Sequence, residues 1–155
     1  MKIQTFDRIG LSNLYVQYSH KRGKEYIDMI RIAMDLPGQF YSEAIGDALG
    51  KTGNFRVSSL IEKNKLPEDT VREYRPDEVL LGISTLSGYT LVDRMFFIRK
   101  VRRMAPLCKI ILFFDESVSE EITEGVKSLK QCRLIDGFLY SSLPMNYLVA
   151  TLESA

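Results

Sequence analysis

The chain has 155 residues, 45% of them hydrophobic and 26% charged, which is enough apolar material for one packed core and too little length for two. Its 21 basic and 20 acidic side chains leave a net charge of +1, so no global field draws it toward nucleic acid or an anionic membrane. Cys108 and Cys132 are too few for a disulfide framework and read as reduced, buried thiols, while a lone histidine, His20, excludes a multi-histidine metal site and a histidine general base within one chain.

The first residues, MKIQTFDRIG, lack the apolar run of a signal peptide, and no stretch of about 18 apolar residues follows, so a soluble, cytoplasmic protein without a membrane span is expected. Residues 1–27 stand apart from the regular pattern that follows. In LSNLYVQYS, Leu14, Val16 and Tyr18 alternate on one side, which suits a short edge strand or hairpin as well as a flexible leader. Just beyond lie His20, Lys21, Arg22 and Lys24, a polar basic segment.

MIRIAM (Met29 to Met34) reads as the first strand, broken by Asp35, Leu36, Pro37 and Gly38. Tyr41, Ile45, Ala48 and Leu49 then recur at helical spacing, with Gly50 as the stop signal of a first helix. FRVSSLI (Phe55 to Ile61) is a β-branched second strand, and Pro67 with Glu68 and Asp69 opens a short helix that ends before Pro76. EVLLGI (Glu78 to Ile83) is almost continuously apolar, as a central parallel strand buried on both faces should be, with Gly82 its one anomaly.

Between Leu91 and Met104 the apolar Leu91, Val92, Met95, Phe96, Ile98 and Val101 form one side of a long helix, leaving Asp93, Arg94, Lys100, Arg102 and Arg103 outside. KIILFF is the fourth strand. Ser117 or Ser119, with Glu120 and Glu121 behind, caps a helix through Ile122, Val126 and Leu129. DGFLY makes the fifth strand and Leu143 to Leu152 a closing helix. Five strands each followed by a helix predict an α/β, flavodoxin-like, doubly wound five-stranded parallel sheet of order 2-1-3-4-5, with the N-terminal residues as an extension.

IRIAMDLPGQFYSEAIGDALGKTGNFRV, RPDEVLLGIS, KIILFFDES and DGFLYSSLP, in that order and spacing, resemble the first, third, fourth and fifth strand regions of response-regulator receiver domains, especially those that precede LuxR-type helix-turn-helix regions. The resemblance covers roughly residues 28 to 152 and divides the chain into an extension, 1–27, and a receiver-like domain, 28–155. It implies a set of chemical positions: an acceptor carboxylate, an acid pair holding magnesium, a hydroxyl and a lysine. Hard magnesium wants oxygen ligands, and a phosphoryl group wants cations nearby. Here the acceptor falls on Gly82, the acid pair on Leu36 and Pro37 with Asp35 one position early, the hydroxyl on Phe114 and the lysine on Ser141.

With every one of those groups replaced, the expectation is a degenerate pseudo-receiver: no enzyme, no cofactor, no metal and no phosphoryl donor. Large Phe114 against small Gly82 is expected to plug the pocket. Because a one-residue shift turns a strand side chain to the other face, Asp35 is not expected to substitute for the missing acid pair, and with Asp115 and Glu116 it reads as a solvated loop acid. The opposing reading gathers those three acids around a cation.

The resemblance further implies homodimer or partner contacts through the last helix, with Leu143, Met145, Tyr147, Leu148 and Leu152 as candidate interface residues, some of which must serve the core. Phe138 falls at the family's switch aromatic. The expected role is a phosphorylation-independent protein-interaction module in signalling or transcription. The alternative is a small-ligand sensor or enzyme using the carboxyl edge of the sheet, where Ser84, Thr85, Ser87 and Ser141 offer hydroxyls to an anion. A third reading, nucleic-acid contact through Arg94, Arg99, Lys100, Arg102 and Arg103, yields to a solvated helix face in so neutral a chain. Gly46, Gly50 and Gly53, with the GKT at Gly50, lack the spacing of a phosphate-binding loop and read as turn and cap residues. No helix-turn-helix is expected to follow Ala155.

Overall fold

The computed structural model describes residues 29–155, so the expected N-terminal strand and the basic segment around His20 lie outside the described residues. Five strands, β1 (Ile30–Asp35), β2 (Phe55–Ser59), β3 (Glu78–Gly82), β4 (Lys109–Phe114) and β5 (Gly137–Tyr140), alternate with five helices, α1 (Gln39–Thr52), α2 (Pro67–Tyr74), α3 (Leu91–Met104), α4 (Glu120–Gln131) and α5 (Met145–Ser154). All the strand pairings are parallel and the order is β2-β1-β3-β4-β5, as the alternating pattern predicts.

The apolar runs of the central strands become the middle layer of a three-layer sandwich. All five residues of β3 are buried, since helices cover both sides of it. Successive side chains of each strand point to opposite faces, which divides the core in two. Ile32, Met34, Leu80, Ile111 and Phe113 pack with Ile45 and Leu49 of α1 and with Leu148 and Leu152 of α5. Ala33, Val79, Leu81, Ile110, Leu112 and Phe114 pack with Val71 of α2, Ile98 and Val101 of α3 and Val126 and Leu129 of α4.

The helix ends follow local chemistry. Thr90 and Asp93 form a reciprocal capping box at the start of α3, and the Ser119 hydroxyl, not that of Ser117, caps α4 by accepting from the Ile122 amide. Helix α1 runs past Gly50 to Thr52, and Gly53, at φ 74°, supplies the left-handed cap instead. The GKT triplet is therefore the last turn of a helix, not a loop.

Two expectations need correction here. Cys108 is buried, but Cys132 is exposed, because it closes the exposed C-terminal end of α4. Arg102 is not a solvent-facing residue: its guanidinium donates to the carbonyls of Leu134 at 3.0 Å and Cys108 at 2.8 Å and to the Asp136 carboxylate at 2.6 Å. That bracket ties the C-terminal half of α3 to the amino ends of β4 and β5.

Candidate functional site

In a doubly wound sheet the loops that could build a site meet beyond the carboxyl ends of the strands, where the strand order reverses between β1 and β3. Asp35 ends β1, Gly82 ends β3, Phe114 ends β4 and Ser141 follows β5, so the fold brings every residue of the expected pocket to this one edge. Alternation then separates them. Asp35 shares the face of Ala33, toward α3, whereas Leu36 shares the face of Met34, toward α1.

Gly82 follows Leu80 onto the α1 face, and a Cβ built there would overlap the Cδ of Pro37 and stand 3.2 Å from the Leu36 Cα. A proline ring and a backbone atom cannot swing aside as the end of a flexible side chain can. The turn from β1 into α1 thus occupies the volume into which any side chain at position 82 would project. Gly82→Ala is accordingly expected to cost about 1–3 kcal/mol as an overpacked site. Urea unfolding checks this, and Pro37→Ala in the same chain should recover part of the loss; an unchanged midpoint for Gly82→Ala would show that the turn yields freely.

This corrects the expected pairing of Phe114 with Gly82. The two point to opposite faces, so neither compensates the other; Pro37 is what covers Gly82. Phe114, 2% exposed, instead packs its ring 5.9 Å from Phe138 and 5.4 Å from Tyr140, and Phe138 and Tyr140 stand 5.8 Å apart. The aromatic at the switch position is thereby one corner of a three-ring cluster on the α3 and α4 face. The Ser141 amide donates to the Phe114 carbonyl at 2.8 Å and continues the ladder between β4 and β5.

Arg94 and Asp35 depart furthest from expectation. Arg94 lies not on the outer side of α3 but on its inner one, and Asp35 is not a solvated loop acid: their side chains are 6% and 10% exposed and pair at 2.8 Å. Arg94 Nη1 donates to Asp35 Oδ2, Nη2 to the Asp35 carbonyl and Nε to the Gly82 carbonyl, each at 2.8 Å. The Tyr89 hydroxyl donates to Asp35 Oδ1 at 3.0 Å, and the guanidinium sits 4.8 Å above the Tyr89 ring. Burial first, then the Asp35 charge, pushes the Tyr89 phenol upward, which keeps it a donor. One internal cation therefore gathers three oxygens from the ends of β1 and β3 and is roofed by an aromatic ring.

The other acids at this edge are engaged separately. Asp115 Oδ1 accepts from the Ser117 amide at 2.8 Å, which lowers the Asp115 carboxyl, and Glu116 Oε1 accepts from the Ser142 hydroxyl at 3.0 Å. The Ser84 hydroxyl accepts from the Leu86 amide at 3.0 Å. Among the described residues, no group of three His, Cys, Asp or Glu is placed to share a metal ion.

Of the candidate interface residues, Leu148 and Leu152 are corrected to core positions, buried at 3% and 0% exposure in the cluster that holds Ile32, Leu80 and Ile111. Helical spacing put them on the same helix as the exposed residues but on its inner side. Leu143 is partly buried against the same cluster, while Met145 and Tyr147, 37% and 56% exposed, remain on the surface.

Strand order and the edge geometry define a flavodoxin-like α/β domain whose carboxyl edge is closed by its own side chains. Among solved structures the chain is similar to the receiver domain of a two-component response regulator from Bacteroides fragilis, with TM-score 0.63 and 19% identity over 81% of this chain and 95% of that one. It is similar also to the chemotaxis protein CheY4 of Vibrio cholerae (TM-score 0.63, 16% identity, 81% and 98% covered) and to a LuxR-family DNA-binding response regulator from Staphylococcus aureus (0.62, 15%, 81% and 98%). The fold is therefore that of response-regulator receiver domains. No protein-family profile and no curated protein matches the chain. Among the described residues no helix is long and apolar enough to cross a membrane.

Proposed function

We propose that this domain is a pseudo-receiver, a signalling or transcription-regulatory module that acts through homodimer or partner contacts and is not switched by phosphate. The observation that carries this reading is Pro37 over Gly82: the position on which the resemblance puts the phosphoryl acceptor has neither a nucleophile nor room for one. On the other face of the sheet Arg94 bonds Asp35 and the Gly82 carbonyl, so the acid one position early is already paired with a fixed cation. The rival reading, a ligand or catalytic site at this edge, needs convergent polar groups with free bonding capacity, and those of Asp35 and Arg94 are already used on each other.

Incubation with acetyl phosphate, or with beryllofluoride, each with magnesium, should leave the mass and the amide spectrum of residues 35, 82 and 114 unchanged; a covalent adduct or a shift centred there would end the phosphate-blind reading. The contact surface is tested with two substitutions on α5. Tyr147→Asp should abolish self-association or partner capture while leaving the melting temperature in place, whereas Leu148→Asp should unfold the domain, because it buries a carboxylate in the core. Unchanged association in Tyr147→Asp would remove α5 from the proposed interface.

A further inference from the structure

At the opposite end of the sheet, the amino ends of β1, β3 and β4 floor a cleft of about 840 Å³. Ile30, Val71, Met104 and Leu107 give it apolar walls, and Arg75 and Lys109 stand exposed on its rim. Glu78 also lines it, 3% exposed, and among the described residues its Oε1 has no hydrogen-bond partner. Native folds rarely leave such an atom unsatisfied, because an unpaired buried acceptor forfeits its hydration for nothing.

The charged neighbours do not relieve it. Asp77 Oδ2 accepts from the Arg31 amide at 2.8 Å, and the Arg31 guanidinium turns away to the Arg75 carbonyl. Lys109 is directly alongside Glu78 in the parallel register, yet its ammonium forms no ion pair with it. The Arg102 guanidinium is held by Leu134, Cys108 and Asp136. Burial, then the nearby Asp77 charge, pushes the Glu78 carboxyl up to about 8 against the opposing pull of Lys109, and burial pushes the adjacent Cys108 thiol up to about 12. At neutral pH Glu78 is thus a neutral acid, presenting one O–H donor and one acceptor side by side.

The edge complementary to that pair is an N–H beside a C=O, as in a cyclic amide. We infer that the amino-edge cleft binds small organic anions bearing such an amide edge, the edge bonded to Glu78 and the anionic group met by Arg75 and Lys109. This is independent of the phosphate-blind reading, which concerns the other end of the sheet. Selectivity follows from the buried partner: only a molecule that forms the pair supplies the hydrogen bond that Oε1 lacks in the free protein.

The probes are uridine monophosphate, its N3-methylated form and uridine, titrated into the 15N-labelled protein at pH 6.5. Uridine monophosphate should shift the amides of Asp77, Glu78 and Lys109, and N3-methylation should weaken binding at least about tenfold. Uridine, lacking the anion, should bind more weakly than the monophosphate. Glu78→Leu should lose the response, whereas Glu78→Gln, which keeps a donor beside an acceptor, should retain it and carry it past pH 8, where the wild type loses it. An absent response to uridine monophosphate, equal affinity for the methylated form, or undiminished binding to Glu78→Leu would each overturn the site.

Discussion

Arg94→Met is expected to destabilise the domain by about 3–5 kcal/mol, because removing one member of a buried ion pair leaves the other as an uncompensated charge. The loss has more than one source. Asp35 would keep its carboxylate at 10% exposure with, among the described residues, only the Tyr89 hydroxyl to satisfy it, and the carbonyls of Asp35 and Gly82 would lose the donors that now bind them at 2.8 Å. In a domain of this size the expected drop in melting temperature is of order 10–20 °C. A methionine fills most of the arginine stem's volume, so the effect isolates the head group from packing.

The second half of the cycle makes the cause visible. Asp35→Leu in the Arg94→Met background replaces the pair with apolar groups, and replacing both members of a buried pair is commonly neutral or stabilising. The double variant should therefore be more stable than Arg94→Met alone, with a coupling of about 1–3 kcal/mol in the double-mutant cycle. Additive single losses, measured by urea unfolding, would mean that the guanidinium contributes chiefly through the two carbonyls and not through the carboxylate. Lys in place of Arg94 should not rescue, since a point charge on a flexible stem cannot hold three acceptors in one plane.

The layout of the fold was legible because its signals are local and periodic. The fourth strand, Lys109–Phe114, and the long helix, Leu91–Met104, are observed with the bounds their patterns set, and the strand order followed from the alternation of strands and helices. The closure of the carboxyl edge was harder to read, since it depends on which residue of one element faces which residue of another. Charge alone places Arg94 on the outside, yet it precedes Ile98 and Val101 by four and seven residues, the spacing of one helical stripe. Spacing could have outweighed residue type there. Pro37 over Gly82 had no such signal, because the contact is made by a turn whose path no periodicity describes.

Glu78 carries the second large expected effect. Its residue type argues for the surface, but its place at the head of a strand buried along its whole length holds it inside. The folded chain binds a proton there up to about pH 8, while the unfolded chain releases it near the ordinary carboxylate value of 4.5. Between those limits the native state holds more protons than the unfolded one, so stability is greatest at the acidic end and declines as pH rises, by at most roughly 1.4 kcal/mol per pH unit, levelling off above pH 8. Glutamine has nearly the same shape and does not ionise. Glu78→Gln should therefore be more stable than the wild type at pH 8.5 by about 2–4 kcal/mol and close to it at pH 5. Urea unfolding from pH 5 to 9 gives that difference directly; parallel curves would mean that the Glu78 carboxyl ionises in the folded chain as readily as in the unfolded one.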